Sequence, residues 1–528
     1  MKKKKTRKTT SRFSLFNRSK NRSADFAEEM STQIEQAIDS TDGIDSRVQK
    51  NIDRLKDIMG NSHDFIVREV IIRTEPFIQA AAMYIDGLAD HTLISDFIIK
   101  AILEENHPTG DVEPAALLTT IKKQMLTIAN VTMEDDWKTI VHSLLSGNTI
   151  LFVDGIPKAF VGETAGGEWR SIEEPTSEIT IRGAKDSFNE SLLTNISLIR
   201  RRIKSPQVRI DLFQLGTLSR TDTVIFYIDG ITDRRIVQEV EQRMKQIKAD
   251  KITGSSYVEE WIQDQTLTVF PTVFNTERPD IVVNCLMEGR VAILVDGSPF
   301  ALIVPTDFSQ FFKAAEDYYQ RFDLSTLIRV LRYFAFSVSL LGPSIYIALI
   351  TFHQDLIPTT LVISLAAQRE GIPFPAFIEA LIMEVTFEVL REAGVRMPRA
   401  IGQAVSIVGA LVIGQAAVQA GIVSAAMVIV VAGTAIASFT TPAYNLAVAA
   451  RILRFAMMFL AATMGLYGIL LGLIIMIAHL TSLKSFGSPY LSPFAPFYPK
   501  EHADGLFRFP QWLRRKSEGK TFSQTERG

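Results

Sequence analysis

Residues Pro373 to Phe439 are apolar enough to enter a bilayer more than once, yet the stretch opens with PFPAFIEALIMEVTFEVLREAG, which carries Glu379, Glu384, Glu388, Arg391 and Glu392. Ionisable groups at membrane depth are costly and face a bundle interior or a watery cavity. A simple anchor has no use for them. The stretch therefore predicts a helical membrane domain with a polar interior.

The surrounding sequence extends this expectation. Leu327 to Ile350 reads as a first span with Gly342-Pro343 as a kink site. Arg329 and Arg332 at its start put the preceding half of the chain in the cytoplasm by the positive-inside rule. Further spans are expected at about Ala400–Ala420, Ile422–Phe439 and Phe455–Leu480. Residues 356–395 are harder to place, because LIPTTLVISLAAQ is short for a span, which needs about 20 residues. A re-entrant pair or a fifth segment fits there. On a helix Glu384 and Glu388 share a face and Arg391 follows at i+3. Two readings stay open: an interfacial helix with a solvated acidic face, or the polar wall of an ion path or subunit seam. Glu379, Glu384, Glu388 and Gln403 are the pore or gating candidates. Gly402, Gly409, Gly414 and Gly421 punctuate a small-residue stretch suited to close helix packing.

The first half reads as an α/β region made by duplication. Four apolar runs end in Asp-Gly, at Asp86, Asp154, Asp229 and Asp296. The first and third are offset by 143 (229 − 86) and the second and fourth by 142 (296 − 154). HSLLSGNTILFVDGIP (142–157) aligns with NCLMEGRVAILVDGSP (284–299), and DFIVREVIIR (64–73) with QVRIDLFQLG (207–216). Each repeat reads strand, strand, helices, hairpin. The Asp-Gly pairs read as turns rather than ligands, since Asp and Gly supply turn geometry at strand ends. The expected organisation is a basic tail (1–24), a helical lead-in (25–61), subdomain 1 (62–175) and a connecting helix (176–204) capped by Asp186 or Ser187. Subdomain 2 (205–306), a juxtamembrane helix (307–326), the membrane domain (327–480) and a cytoplasmic tail (481–528) follow, the last read as an extended segment at the membrane surface.

Composition narrows the function. Net charge is −2, which gives no bulk attraction for nucleic acid. The ten Lys and Arg of residues 1–24 suit either a solvated arm or contact with anionic lipid. The basic start lacks the apolar run of a secretory signal. The single Cys285 permits no intrachain disulfide and reads as a core residue. No catalytic set, phosphate loop or metal-ligand spacing is evident, so neither enzyme activity nor a metal or other cofactor is expected.

Several blocks carry a resemblance. They are TIRGAKDSFNESLLTNISLIRRRIK (180–204), ERPDIVVNCLMEGRVAILVDGSPFALIVP (277–305), EDYYQRF (316–322), PFPAFIEALIMEVTFEVLREAG (373–394), IGQAVSIVGALVIGQAAVQAGIVS (401–424) and SPYLSPFAPF (488–497). In these the chain resembles the A subunit of the GerA-type spore germination nutrient receptors, departing at Ala184-Lys185, where the family reads Pro-Arg. The resemblance implies a multi-pass protein of the endospore inner membrane with a cytoplasmic N-terminal domain. Its implied partners are a transporter-like B subunit that binds nutrient, a lipoprotein C subunit, and further copies of itself. It also implies a nutrient-gated monovalent-cation channel. A non-conducting scaffold, or a paralogue similar to stage V sporulation AF-type proteins, are the competing expectations.

Overall fold

The computed structural model describes residues 43–74, 77–95, 131–166, 174–396, 414–495 and 504–510. Gln403, Gly402 and Gly409 lie outside the described residues, as do the basic tail and most of the span expected at 400–420.

The duplication is present in three dimensions. Helix α1 (Val48–Met59) buries Val48, Ile52, Leu55 and Met59 along one stripe. It packs on a sheet of β1 (Phe65–Thr74), β2 (Phe77–Ile85), β3 (Val131–Glu134), β4 (Thr149–Val153) and β5 (Ala159–Gly162), in the order β1-β2-β4-β5-β3. Helix α2 (Trp137–Leu145) fills the same core through Trp137, Ile140 and Leu144. The second unit repeats this plan. Helix α3 (Leu192–Arg202) precedes β6 (Val208–Leu215) and β7 (Thr221–Ile228). Helices α4 (Arg234–Gln246) and α5 (Ser255–Ile262) follow, then β8 (Phe274–Thr276), α6 (Pro279–Met287), β9 (Val291–Val295) and β10 (Ala301–Val304). Its sheet order, β6-β7-β9-β10-β8, is the first order repeated, and every pairing within both sheets is antiparallel.

Two features were not visible in sequence. The short edge strands β3 and β8 complete each sheet. The lead-in and connecting helices also belong to the repeats: Val48 N donates to Asp154 Oδ1 at 2.8 Å, and Leu192 N donates to Asp296 Oδ1 at 3.2 Å. The hairpin aspartate of each unit thus satisfies a free amide at the start of that unit's own helix. The glycines beside them, Gly155 and Gly297, have φ of 84° and 78° and donate to Ser46 O and Glu190 O. The cap of α3 is Ser191 rather than Asp186 or Ser187, and Asp186 instead pairs with Arg202 at 2.6 Å.

A buried clamp joins the units. Arg200 Nε and Nη2 donate to Asp64 at 2.6 and 2.8 Å, and Nη2 also to Ser62 Oγ. Arg200 and Asp64 are both buried, so either alone would be an uncompensated charge.

Helix α7 (Glu316–Tyr319) leads into the helical half: α8 (Phe322–Phe352), α9 (Thr359–Arg369), α10 (Ala376–Arg396), α11 (Ala425–Ser438) and α12 (Tyr444–Ser482). Among the described residues, α8 and α12 are long and apolar enough to cross a membrane. Helix α8 runs through Pro343. Residues 356–395 hold α9, which buries no residue, and α10.

The expected single span at Phe455–Leu480 is interrupted. Gly465 takes φ 61°, ψ −141° within α12. Beyond it the chain folds back, since a Cβ at Gly472 would lie 2.6 Å from Met457 Sδ, and one at Gly468 would meet Leu460 O. A straight helix would separate residues 457 and 472 by about 22 Å. Helix α12 is therefore two antiparallel arms, and small residues let them approach. Both ends return to the α/β half: Leu446, Ala449, Leu480 and Leu483 share a core with Phe308, Phe312 and Phe336.

Residues 483–495, the start of the segment expected to run extended along the membrane surface, fold back instead onto the α/β half. Strands β11 (Lys484–Ser485) and β12 (Ser488–Pro489) form a small hairpin whose Phe486 packs in the core of the second unit. Ser485 Oγ donates to Thr272 O, and Tyr490 is fully buried.

Candidate functional site

Helix α10 brings its acids against arginines from three directions. Glu384 Oε2 accepts from Arg454 Nη1 at 2.7 Å. Arg454 continues to α8, donating from Nε to Ser339 O at 2.7 Å and from Nη2 to Ser339 Oγ at 3.0 Å. Three helices meet at this buried pair, with Arg454 only 1% exposed and Glu384 at 0%. Glu379 accepts from Arg369 Nε at 3.1 Å and from Ser424 N at 3.0 Å. Through Ser424 it reaches the N-terminus of α11, where unpaired amides favour a carboxylate. Glu388 pairs with Arg391 one turn on, and Arg451 Nη1 lies 3.4 Å from the same carboxylate oxygen.

Each α10 candidate is thus matched to a cation, and Glu379 and Glu384 are buried rather than solvated. Glu384 Oε1 and Glu388 Oε1 are buried and have no hydrogen-bonding partner among the described residues. Gly414 is buried, and a Cβ added there would lie 3.7 Å from Val428; Gly421 adopts φ 64°, and a Cβ there would lie 3.4 Å from Gly371 O. The partners Arg369, Arg451 and Arg454 were not singled out as site residues. The visible signal was RILRF (451–455), two arginines opening a long apolar run.

A second polar cluster lies at the base of α8. Asp317 accepts from Arg332 Nη1 at 2.7 Å and from Arg329 Nη2 at 3.1 Å. Arg329 also donates to Asp504 O at 2.8 Å, and Tyr318 OH donates to Asp504 Oδ2 at 2.8 Å. Arg508 donates to Gln320 O and Tyr318 O. Residues 504–510 thereby close over the junction of the α/β half with α8. Arg332 and Ser339 are seven residues apart on one face of α8, about 10 Å along its axis. The junction and the Glu384–Arg454 pair are therefore two turns apart on a continuous helix.

The junction reaches the second repeat through a strap, residues 174–190. Glu277 accepts from Ser177 N, Ser177 Oγ and Glu178 N at 2.7, 2.9 and 3.0 Å. Arg278 donates to Ala184 O at 2.7 Å and to Asp280, and Tyr319 OH donates to Asp280 Oδ2 at 2.7 Å. Residue 184 takes part through its backbone carbonyl, which Ala provides as well as Pro.

Burial pushes the Glu178 carboxyl up to about 7, opposed by the hydroxyl of Thr276 and reinforced by Glu277. A raised carboxyl binds its proton more tightly in the folded chain, so stability falls as pH rises from about 4.5 through about 7. Glu178→Gln is expected to flatten this dependence. Its melting temperature should exceed that of the parent by a few degrees at pH 8 and converge with it below pH 5, as read by thermal melts across that range.

Comparison with known proteins places these features in a family. The sequence profile of the Bacillus/Clostridium GerA spore germination protein family matches residues 53–519. Spore germination protein KA of Bacillus subtilis (strain 168) is 49% identical over 473 residues, covering 90% of this chain and 86% of that protein. Spore germination protein A1 of the same organism is 42% identical, covering 81% of this chain and 87% of that protein. Spore germination protein GerLA of Bacillus cereus is 39% identical, covering 87% and 92%. Among solved structures, the N-terminal domain of the A subunit of the Bacillus megaterium spore germinant receptor GerK3 is 35% identical, covering 51% of this chain and 98% of that one, with a TM-score of 0.41. With the profile matched across most of its length, the chain belongs to the GerA family of spore germination proteins.

Proposed function

We propose that this chain is the A subunit of a spore germinant receptor in the inner spore membrane, where copies of it assemble with a transporter-like B subunit and a lipoprotein C subunit. Its helical half crosses the membrane several times, its α/β half faces the cytoplasm, and its basic first residues contact anionic lipid. Nutrient bound by a partner opens a path for monovalent cations through the oligomer. The observation that carries this reading is the set of α10 carboxylates held by arginines inside the helical half. Such residues at membrane depth are functional by default, and ion pathways are one of the roles they serve.

In the state described, Arg369, Arg454 and the Arg391–Arg451 pair neutralise Glu379, Glu384 and Glu388. That is the electrostatics of a closed path. Opening exchanges these partners and frees carboxylate oxygens for a passing cation. Nutrient drives the exchange only through a higher affinity for the open state. The test is spores carrying Glu384→Gln at unchanged receptor level, with cation release followed after nutrient addition. The expected result is altered release kinetics; release at the parent rate removes Glu384 from the path.

The same full pairing also favours a second reading, a scaffold whose ion pairs only hold the helices together. In that case Glu384→Gln changes receptor stability and level but not release per receptor.

A further inference from the structure

We propose that the loop 263–270 of the second repeat is a lipid-contacting anchor that seats the α/β half on the bilayer beside the exit of α12. The inference rests on the reading of α12 as membrane-embedded.

Leu267 is 97% exposed, more than any other large apolar side chain among the described residues, and Val269 beside it is 38% exposed. Between them Thr268 points the other way. Its Oγ1 lies 2.9 Å from Nε2 of His479 and also accepts from Phe270 N at 3.2 Å. The Phe270 ring packs 6.2 Å from the His479 ring. A second tie sits at the start of the loop, where Asp264 Oδ2 accepts from Phe486 N at 2.6 Å and Oδ1 from Arg243 at 2.7 Å. The loop is thus pinned at one end to the hairpin that follows α12 and at the other to His479 of α12, and Leu267 and Val269 are presented outward.

The position of His479 sets the depth. The second arm of α12 is apolar up to Leu480 and is followed by Thr481, Ser482 and Lys484, so His479 stands where hydrocarbon gives way to headgroups. Ile474, Ile475 and Ile477, one turn above, are exposed in the isolated chain, as a lipid-facing surface would be. Leu267 is one residue from the side chain that touches His479. The sequence QTLTVFP (265–271) carries no charge, so nothing in it resists entry into the interface. Apolar side chains lowered into the headgroup–acyl boundary are the means by which monotopic segments hold to membranes. Water is the least favourable surrounding for a leucine at this exposure, and lipid is the medium already present at that level.

The test uses the full chain in lipid nanodiscs with a nitroxide at one of three sites, Leu267→Cys, Ile475→Cys or Leu218→Cys. Cys285 is buried and its thiol is pushed up to about 12 by burial, so it does not compete for the label. Leu218, 82% exposed on the β6–β7 turn, is the aqueous control. Collision rates with oxygen and with a water-soluble nickel chelate report the surroundings. The expected result is that Leu267 matches Ile475, with oxygen collisions dominant and nickel collisions largely lost relative to Leu218. A Leu267 label matching Leu218 while Ile475 reports lipid overturns the anchor and leaves α12 in the membrane. Ile475 reporting water overturns the membrane reading itself. A Leu267 label shielded from both reagents and broadened by a neighbouring spin overturns the lipid assignment in favour of a second copy.

Discussion

Arg454→Ala is expected to destabilise the helical half by about 3–5 kcal/mol, because it leaves Glu384 as an uncompensated buried charge. It also strips Ser339 O and Oγ of the guanidinium that ties α8 to α12. Removing both charges together is different. A Glu384→Leu, Arg454→Met chain keeps apolar volume at the site and is expected to recover most of the loss, since exchanging a whole buried pair for apolar groups is often nearly neutral. Thermal unfolding of purified single and double variants in detergent checks this. A double variant no more stable than Arg454→Ala means that the pair is not the dominant interaction at the site. A double variant that regains stability also separates stability from conduction, because it lacks the proposed path acid.

Asp317→Ala is the second large effect, of similar size, about 3–5 kcal/mol. Asp317 is 2% exposed and lies between Arg329 and Arg332, so its loss leaves two guanidinium groups facing each other. Arg332 would retain Phe312 O, and Arg329 would retain Asp504. The seven-residue spacing to Ser339 puts this junction two turns of α8 from the Glu384–Arg454 site. The expected consequence in spores, after correction for receptor level, is a weakened nutrient response. A normal response per receptor means that the junction supports folding without transmitting the signal.

These sites were legible to different degrees for identifiable reasons. The duplication was visible because Asp154 and Asp296 have a fixed structural task, accepting from a helix N-terminal amide, and that task preserves Asp-Gly in each repeat. The edge strands β3 and β8 are only four and three residues long, too short for an alternating pattern to declare itself. The cap of α3 was misplaced because Asp186, Ser187, Asn189 and Ser191 all have capping chemistry, and the choice among them depends on Asp296, more than 100 residues away. The carboxylates of α10 stood out as charges in an apolar run. Their partners did not, because Arg451 and Arg454 have an equally good local explanation as topology signals. Pairing across 63 and 70 residues is a tertiary fact. The fold-back at Gly465 follows the same logic: Gly465, Gly468 and Gly472 were present in sequence, but only the contact of Gly468 and Gly472 with Leu460 and Met457 shows that the apolar run is two arms.

The claim that matters most is conduction. The direct measurement is monovalent-cation flux through the purified full-length chain in liposomes, alone and with B and C subunits plus nutrient, with Glu384→Gln in parallel. The account predicts flux on nutrient addition to the assembled receptor, and a changed rate in the Glu384→Gln form at equal reconstitution. No flux from a folded, assembled and nutrient-bound receptor would contradict it and leave the chain as a scaffold.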